Sequence, residues 1–400
     1  MTTEGSVAPT KTGTYRAALA VGEFRAIALG FLISILGDSA AALAVTVLMY
    51  QRTGSSLLAA LTWVCAFAPY LIGGTLLSGL IDRIRPRTMM AGSDLMGALL
   101  VAIIALPGVP IPLIYVVLVV IGMVAPLRAG ASSTVVSQVL TGDAFVPGRS
   151  LLRMAAQAAQ ILGAALGGGL VGAFGPRGAL IADTASYVIS AALITTFVRA
   201  RATGSAPRAD GLVKDSLTGI REVLALRPVR RVLFLNWVVS FVSVAPEALA
   251  APAVAHAGYS AGFTGLWLAA APLGFVVGDV LAITFVPQQR LVRWILPLTV
   301  TGTSLLLIFI LWPPLPVMIA LLVCNGATSI YGLGTDRSLR DETPPDLLGR
   351  MFSLSSTGLM AIQGLGFGIA GALGEVMTPG QAVASLAVVG LAAIAAIARI

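Results

Sequence analysis

The sequence predicts an all-α membrane protein, with twelve transmembrane helices arranged as two six-helix halves. Three observations carry that reading. The 400 residues are 57% hydrophobic and only 10% charged, with a mean hydropathy of +0.95; a soluble domain carries about 25% charged residues. Apolar runs long enough to span a bilayer, about 20 residues each, recur along the whole chain. The basic residues fall almost entirely into alternate gaps between those runs. The net charge of +8 is therefore topological and does not point to a nucleic-acid partner.

The runs centre near residues 38, 68, 98, 122, 162, 188, 240, 272, 302, 324, 362 and 390. Run one carries Asp38 near its middle. Run two passes Trp63 and Tyr70 and ends before Asp82, Arg83, Arg85 and Arg87, four charges in six residues. Hydrocarbon excludes such a cluster, so it marks a loop at the membrane surface. Run three carries Asp94, and run four ends in Ala125-Pro126-Leu127-Arg128. Run five is rich in glycine at Gly163, Gly167, Gly168 and Gly169. Run six has Asp183 early, where an interfacial position near the outer surface is expected. Run seven meets Pro246, Glu247 and Pro252 and is expected to break there, with Glu247 a solvated loop acid. Run eight carries Asp279 towards its basic end, and run eleven carries Gly364, Gly366 and Gly368.

Of the 25 basic residues, 22 fall in gaps on one side and only Arg52 and Arg177 on the other; Arg128 lies within a run. That bias places both termini in the cytoplasm of a cell-membrane protein. The segment before Thr14 is too weakly apolar for a signal peptide. The expected organisation is a disordered tail at 1–20, a six-helix bundle at 21–198, a cytoplasmic linker at 199–230 and a second bundle at 231–400. In the linker, Val213, Leu217, Ile220 and Leu224 follow helical spacing, which predicts an amphipathic surface helix. Cys65 and Cys324 both lie in apolar runs and His256 is the single histidine, so neither a disulfide nor a metal site is expected. No nucleophile–base pair or phosphate loop is present, so no catalytic residue and no cofactor is assigned.

The halves echo each other at an offset of 201 residues: Gly148-Arg149 with Gly349-Arg350, and Ile161, Gly163 and Gly167 with Ile362, Gly364 and Gly368. Six spans, a long loop and six more spans is the pattern of an internal duplication. On these residues the chain resembles the major facilitator superfamily, from about Arg25 to Ile400. Within it, the chain looks most like the twelve-span drug–proton antiporters related to macrolide efflux and siderophore export proteins. Asp82, Arg83 and Arg87 resemble that family's Gly-x-x-x-Asp-Arg-x-x-x-Arg loop, with Ser78 where its first glycine is expected. Ala125-Pro126-Leu127-Arg128 resembles its Pro-x-Arg, and Thr343 to Arg350 its Thr-Pro-x-x-x-x-Gly-Arg loop. Leu36-Gly37-Asp38 matches a Gly-Asp found in its first span. Gly163-Ala164-Ala165-Leu166-Gly167-Gly168 resembles the antiporter motif, with Ala164 in place of its proline. The second-half copy of the loop motif has decayed to Gln288-Gln289-Arg290.

The resemblance implies a monomeric secondary transporter in the lipid bilayer, exporting small amphipathic molecules against protons. An uncoupled facilitator, an importer, or a lipid-handling or sensory protein of the same fold are the alternatives. Asp38 is either a proton-coupling carboxyl or a hydrogen-bonded packing group, since an intramembrane charge must pair, titrate or face a cavity. Arg128 and Asp94 are further candidates for proton coupling or substrate binding: Arg128 either takes a coupling role, with Asp38 or Asp94 as its partner, or reaches for the interface. The resemblance implies that Asp82, Arg83 and Arg87 form an inner gate with Gly349 and Arg350; the plainer reading is a topological anchor. Gly163, Gly167 and Gly168 suit close helix packing. Trp63, Tyr70, Trp237, Phe241 and Trp267 are available to stack on an aromatic or cationic cargo.

Overall fold

The computed structural model describes residues 15–76, 84–140, 145–201, 221–285, 290–344 and 347–399. In the first half, a short α1 (Tyr15–Ala20) leads into α2 (Gly22–Thr53), α3 (Ser56–Leu76), α4 (Pro86–Ala105), α5 (Ile111–Val139) and α6 (Phe145–Phe197). The second half holds α7 (Arg227–Ser243), the short α8 (Ala245–Ala248) and α9 (Ala250–His256), and α10 (Phe263–Phe285). It continues with α11 (Leu291–Leu305), α12 (Leu315–Ala327), α13 (Tyr331–Glu342), α14 (Leu348–Val376) and α15 (Pro379–Arg399). Tight 3-10 turns at Leu306–Leu311 and Thr328–Ile330 extend α11 and join α12 to α13.

The helix ends follow from sequence chemistry. Proline opens α4, α5, α7 and α12, where its missing N–H costs nothing. Gly54 ends α2 in the left-handed region, at φ 67°, and its N–H bonds the Tyr50 carbonyl. Pro69, Pro126, Pro272 and Pro297 lie inside helices, as neighbouring helices permit in a membrane bundle. The break expected in run seven is present: α7 stops at Ser243 and the prolines sit in α8 and α9. Glu247 lies half-buried in α8, not in a solvated loop, because the broken chain folds back into short helical turns.

Among the described residues, ten helices are long and apolar enough to cross a membrane. One of them is α6, which carries two of the expected runs. Its 53 residues would reach about 80 Å if straight, far beyond a hydrocarbon core of about 30 Å. It turns back at Gly175, where φ is 72° and Pro176 follows. Ser56–Pro69 of α3 is a shorter apolar helix.

At one end of the bundle, Glu23 at the start of α2 pairs with Arg201 (2.7 Å) and Arg199 (3.4 Å) just beyond α6. This arginine-rich end therefore lies opposite the end that carries Gly54 and Gly175. Within the first half, α2 packs most extensively on α6. Between halves, α3 packs on α14 and α6 on α10. Lipid tails give no hydrophobic gain for these contacts, so small residues and close approach must supply it. A Cβ built on Gly168 would lie 2.5 Å from the Gly262 carbonyl oxygen and 2.8 Å from the Gly265 Cα. Backbone meets backbone there, and no other residue fits.

Candidate functional site

The first half holds a cluster of buried polar side chains at mid-depth. Asp94 on α4 is fully buried. One of its oxygens pairs with the Arg128 guanidinium on α5; the other accepts from the Ser190 hydroxyl on α6 at 2.6 Å. Of the two partners expected for Arg128, the structure supplies Asp94. Asp38, midway along α2, accepts a hydrogen bond from the Tyr187 hydroxyl of α6.

Asp183 corrects an expectation. It is not interfacial but 1% exposed, packed against α2. Its Oδ1 accepts from Ser186 at 3.0 Å, while Oδ2 is buried without a hydrogen-bond partner. The missing side chain of Gly37 makes the approach possible, since a Cβ there would collide with Asp183 Oδ1 and Ser186 Oγ. The sequence carried a signal for this. Asp183, Ser186, Tyr187 and Ser190 follow i, i+3, i+4, i+7 spacing, a polar stripe along one face of an apolar helix. In hydrocarbon such a stripe turns inward.

Two cavities flank Asp38. One, of about 270 Å³, is lined by Asp38, Trp63, Phe67, Leu118, Asp183 and Tyr187 among others, all from the first half. The second, of about 100 Å³, is lined by Asp38, Phe31, Ser93, Arg128, Ser132 and Tyr187 among others. The residues of the larger cavity lie toward the Gly54 end of their helices, those of the smaller toward the arginine-rich end. Asp38, Ile121, Ala125 and Tyr187 belong to both and form the partition. No ion pair to Asp38 or Asp183 exists among the described residues.

Aromatic rings join the halves beside the larger cavity. Phe367 of α14 stacks on Trp63 with centroids 5.2 Å apart and on Phe67 at 5.6 Å. Trp267 is buried in the second half and donates to the Pro246 carbonyl at 2.8 Å. Trp237 donates to the Ser355 carbonyl at 3.3 Å.

Asp82 and Arg83 lie outside the described residues, as does most of the linker helix expected at 213–224. Arg87 donates to the Thr195 carbonyl at the end of α6. Gly349 lies in the first turn of α14, and Arg350 beside it pairs with Glu222 at 2.8 Å. Gly163 and Gly167 lie against α2, at Leu36 and Ser39 and at Ala40. At the Gly54 end, sequence reasoning missed a contact between halves. Glu375, in the last turn of α14, accepts from the Ser55 hydroxyl at 2.7 Å and the Leu57 N–H at 2.8 Å.

Membrane-length helices packed into a bundle, with charged groups buried beside cavities, define a multi-pass membrane protein. Residues 27–283 match the Major Facilitator Superfamily, and the chain belongs to that superfamily. No curated protein matches it in sequence. In shape it is similar to a bacterial homologue of the human lysosomal transporter Spinster in an inward-facing, unoccupied state. That likeness has a TM-score of 0.67 and 14% identity over 97% of this chain and 95% of the other. A nucleoside transporter matches with a TM-score of 0.73 and 11% identity, covering 94% and 99%. A bacterial homologue of the iron transporter ferroportin, inward-facing, matches with a TM-score of 0.67 and 16% identity, covering 94% and 96%. At these identities the likeness speaks for the fold and not for the cargo.

Proposed function

We propose that this protein is a proton-coupled exporter of small amphipathic molecules that works by alternating access. The observation that carries the reading is the position of Asp38, a carboxyl without an ion-pair partner on the partition between two cavities. An ionised carboxyl in a low-dielectric interior must be paired or neutralised. Arg128 is already balanced by Asp94, so a proton is the simplest neutralising group for Asp38. In this cycle, protonation from outside releases cargo and deprotonation towards the cytoplasm permits rebinding.

The basic bias assigns the arginine-rich end to the cytoplasm, which makes the Glu375 end the outer one. Twelve spans follow if the two arms of α6 count separately and α3 is added. The halves at 21–198 and 231–400 rock against each other, with Asp82, Arg83 and Arg87 latching the inner end against the positive N-terminal end of α14. The test is Asp38→Asn in proteoliposomes with an imposed pH gradient. Gradient-driven efflux should disappear while exchange down a cargo gradient persists. Unchanged gradient-driven efflux in Asp38→Asn would refute Asp38 as the coupling group, and absence of gradient-driven efflux in the unmodified protein would leave an uncoupled facilitator or importer as the reading.

A further inference from the structure

We infer that the cargo is a small organic cation, an apolar or aromatic body bearing one protonated amine, held in the 270 Å³ cavity with its amine at Asp183. This rests on reading that cavity as the cargo site. Charge is the first argument. The cavity wall carries the carboxyls of Asp38 and Asp183. Arg128 lines the other cavity and is engaged by Asp94. An anionic cargo would meet two carboxyls and no cation, and a neutral one would leave Asp183 uncompensated even with Asp38 protonated.

The unsatisfied polar atoms give the second argument. Asp183 Oδ2 has no hydrogen-bond partner although the residue is almost fully buried. Its other oxygen is held by Ser186 and its carboxyl is seated in the Gly37 slot, so the free oxygen cannot swing away to find one. Trp63, on the same cavity wall, has a buried indole N–H that is also unpartnered. Buried polar groups are normally satisfied, so each exception calls for a missing partner. A protonated amine supplies the donor that Asp183 lacks, and an ether, hydroxyl or carbonyl oxygen on the same molecule supplies the acceptor for Trp63. The remaining wall is apolar and aromatic, which suits the body.

Three probes with one body separate the charge requirement from simple apolar binding: 4-phenylbutylamine, 4-phenylbutanol and 4-phenylbutyrate. Binding is measured by calorimetry on the full chain in detergent at pH 7, with no gradient. The amine should bind about tenfold tighter or more than either of the others, the scale of one hydrogen bond to a charged group. Asp183→Asn should erase that preference, and Asp183→Glu should keep part of it. Equal binding of alcohol and amine, tighter binding of the carboxylate, no binding of the amine, or a preference untouched by Asp183→Asn would each overturn the inference. If Asp183→Asn fails to fold, the ranking on the unmodified protein still decides. Because no proton gradient is involved, a failed amine preference leaves proton coupling standing, and unchanged coupling in Asp38→Asn leaves the amine preference standing.

Discussion

Glu375 offers a direct measure of how firmly the two halves are held together at the Gly54 end. It occupies the last turn of its own helix, where the macrodipole disfavours negative charge. Its carboxylate instead caps the first turn of α3 across the interface, accepting from Ser55 Oγ and Leu57 N. These bonds exist only while that end is closed, so their loss falls on the closed state. In Glu375→Ala both donors lose their acceptor. The site is exposed, and water replaces the carboxylate once it is gone. The cost is then that of a lost surface helix cap, about 1 kcal/mol, not the roughly 1.5–3 kcal/mol of a charged bond in full. One kcal/mol is about a fivefold change in an equilibrium.

The assay is the spin-label distance between Gln51 and Met377, both exposed and on opposite halves, after the native Cys65 and Cys324 are replaced by alanine. Glu375→Ala should raise the long-distance population about fivefold relative to the closed one. Glu375→Gln keeps a carbonyl acceptor and should fall between. A distance distribution that is the same in all three proteins, each eluting as a folded species, would refute the argument that this cap holds the end closed.

Other predictions follow from the same geometry. Asp94→Asn leaves the Arg128 guanidinium without its counter-charge and should cost about 3–5 kcal/mol. The thermal midpoint in detergent should fall accordingly, and Asp94→Asn with Arg128→Gln should recover much of it. Gly168→Val forces a side chain against Gly262 and Gly265. It should push the halves apart and lengthen the same spin-label distance without Glu375 being touched. Gly37→Ala drives a methyl group into the place of Asp183 Oδ1 and should weaken amine binding as Asp183→Asn does, in the same calorimetric measurement. Asp82→Asn should abolish transport with folding and topology intact. Transport at the unmodified rate would reduce that loop to an anchor.

The fold was legible because hydrocarbon leaves few choices. A backbone in lipid must satisfy its own hydrogen bonds, so each long apolar run is a helix, and every expected run centre lies in one. Runs five and six were read as separate, and α6 turns at Gly175 between their centres. Asp38, Asp94 and Arg128 were legible because charges stand out in apolar runs. Asp183 was misplaced because distance from the start of a run was read as depth, whereas the helical spacing from Asp183 to Ser190 gives its direction. Glu375 was not legible at all. An acid at a helix end is ordinary, and its meaning lies in the first turn of a helix more than 300 positions away, which no local pattern encodes.

A census of intramembrane charges treats Asp38, Asp94, Arg128 and Asp183 as equals. Pairing separates them. Asp94 and Arg128 neutralise each other, and Ser190 occupies the remaining carboxylate oxygen, so this pair has no outstanding requirement and can serve as a fixed strut between α4, α5 and α6. Asp183 has a hydrogen-bond partner for only one of its oxygens, Asp38 has no ion pair among the described residues, and both line a cavity. In the proposed function, their remaining requirement is met by a proton and by the cargo. The polar stripe on α6 serves both pairs. Ser190 completes the strut, and seven residues away, about 10 Å along the helix, Asp183 is left open. Between them Tyr187 touches Asp38 at the partition. The functional weight placed on Asp38 and Asp183 therefore rests on what they lack and not on their charge. Motif matching alone, which singles out Asp38 and Arg128, would have joined a carboxyl without an ion pair to a guanidinium already paired.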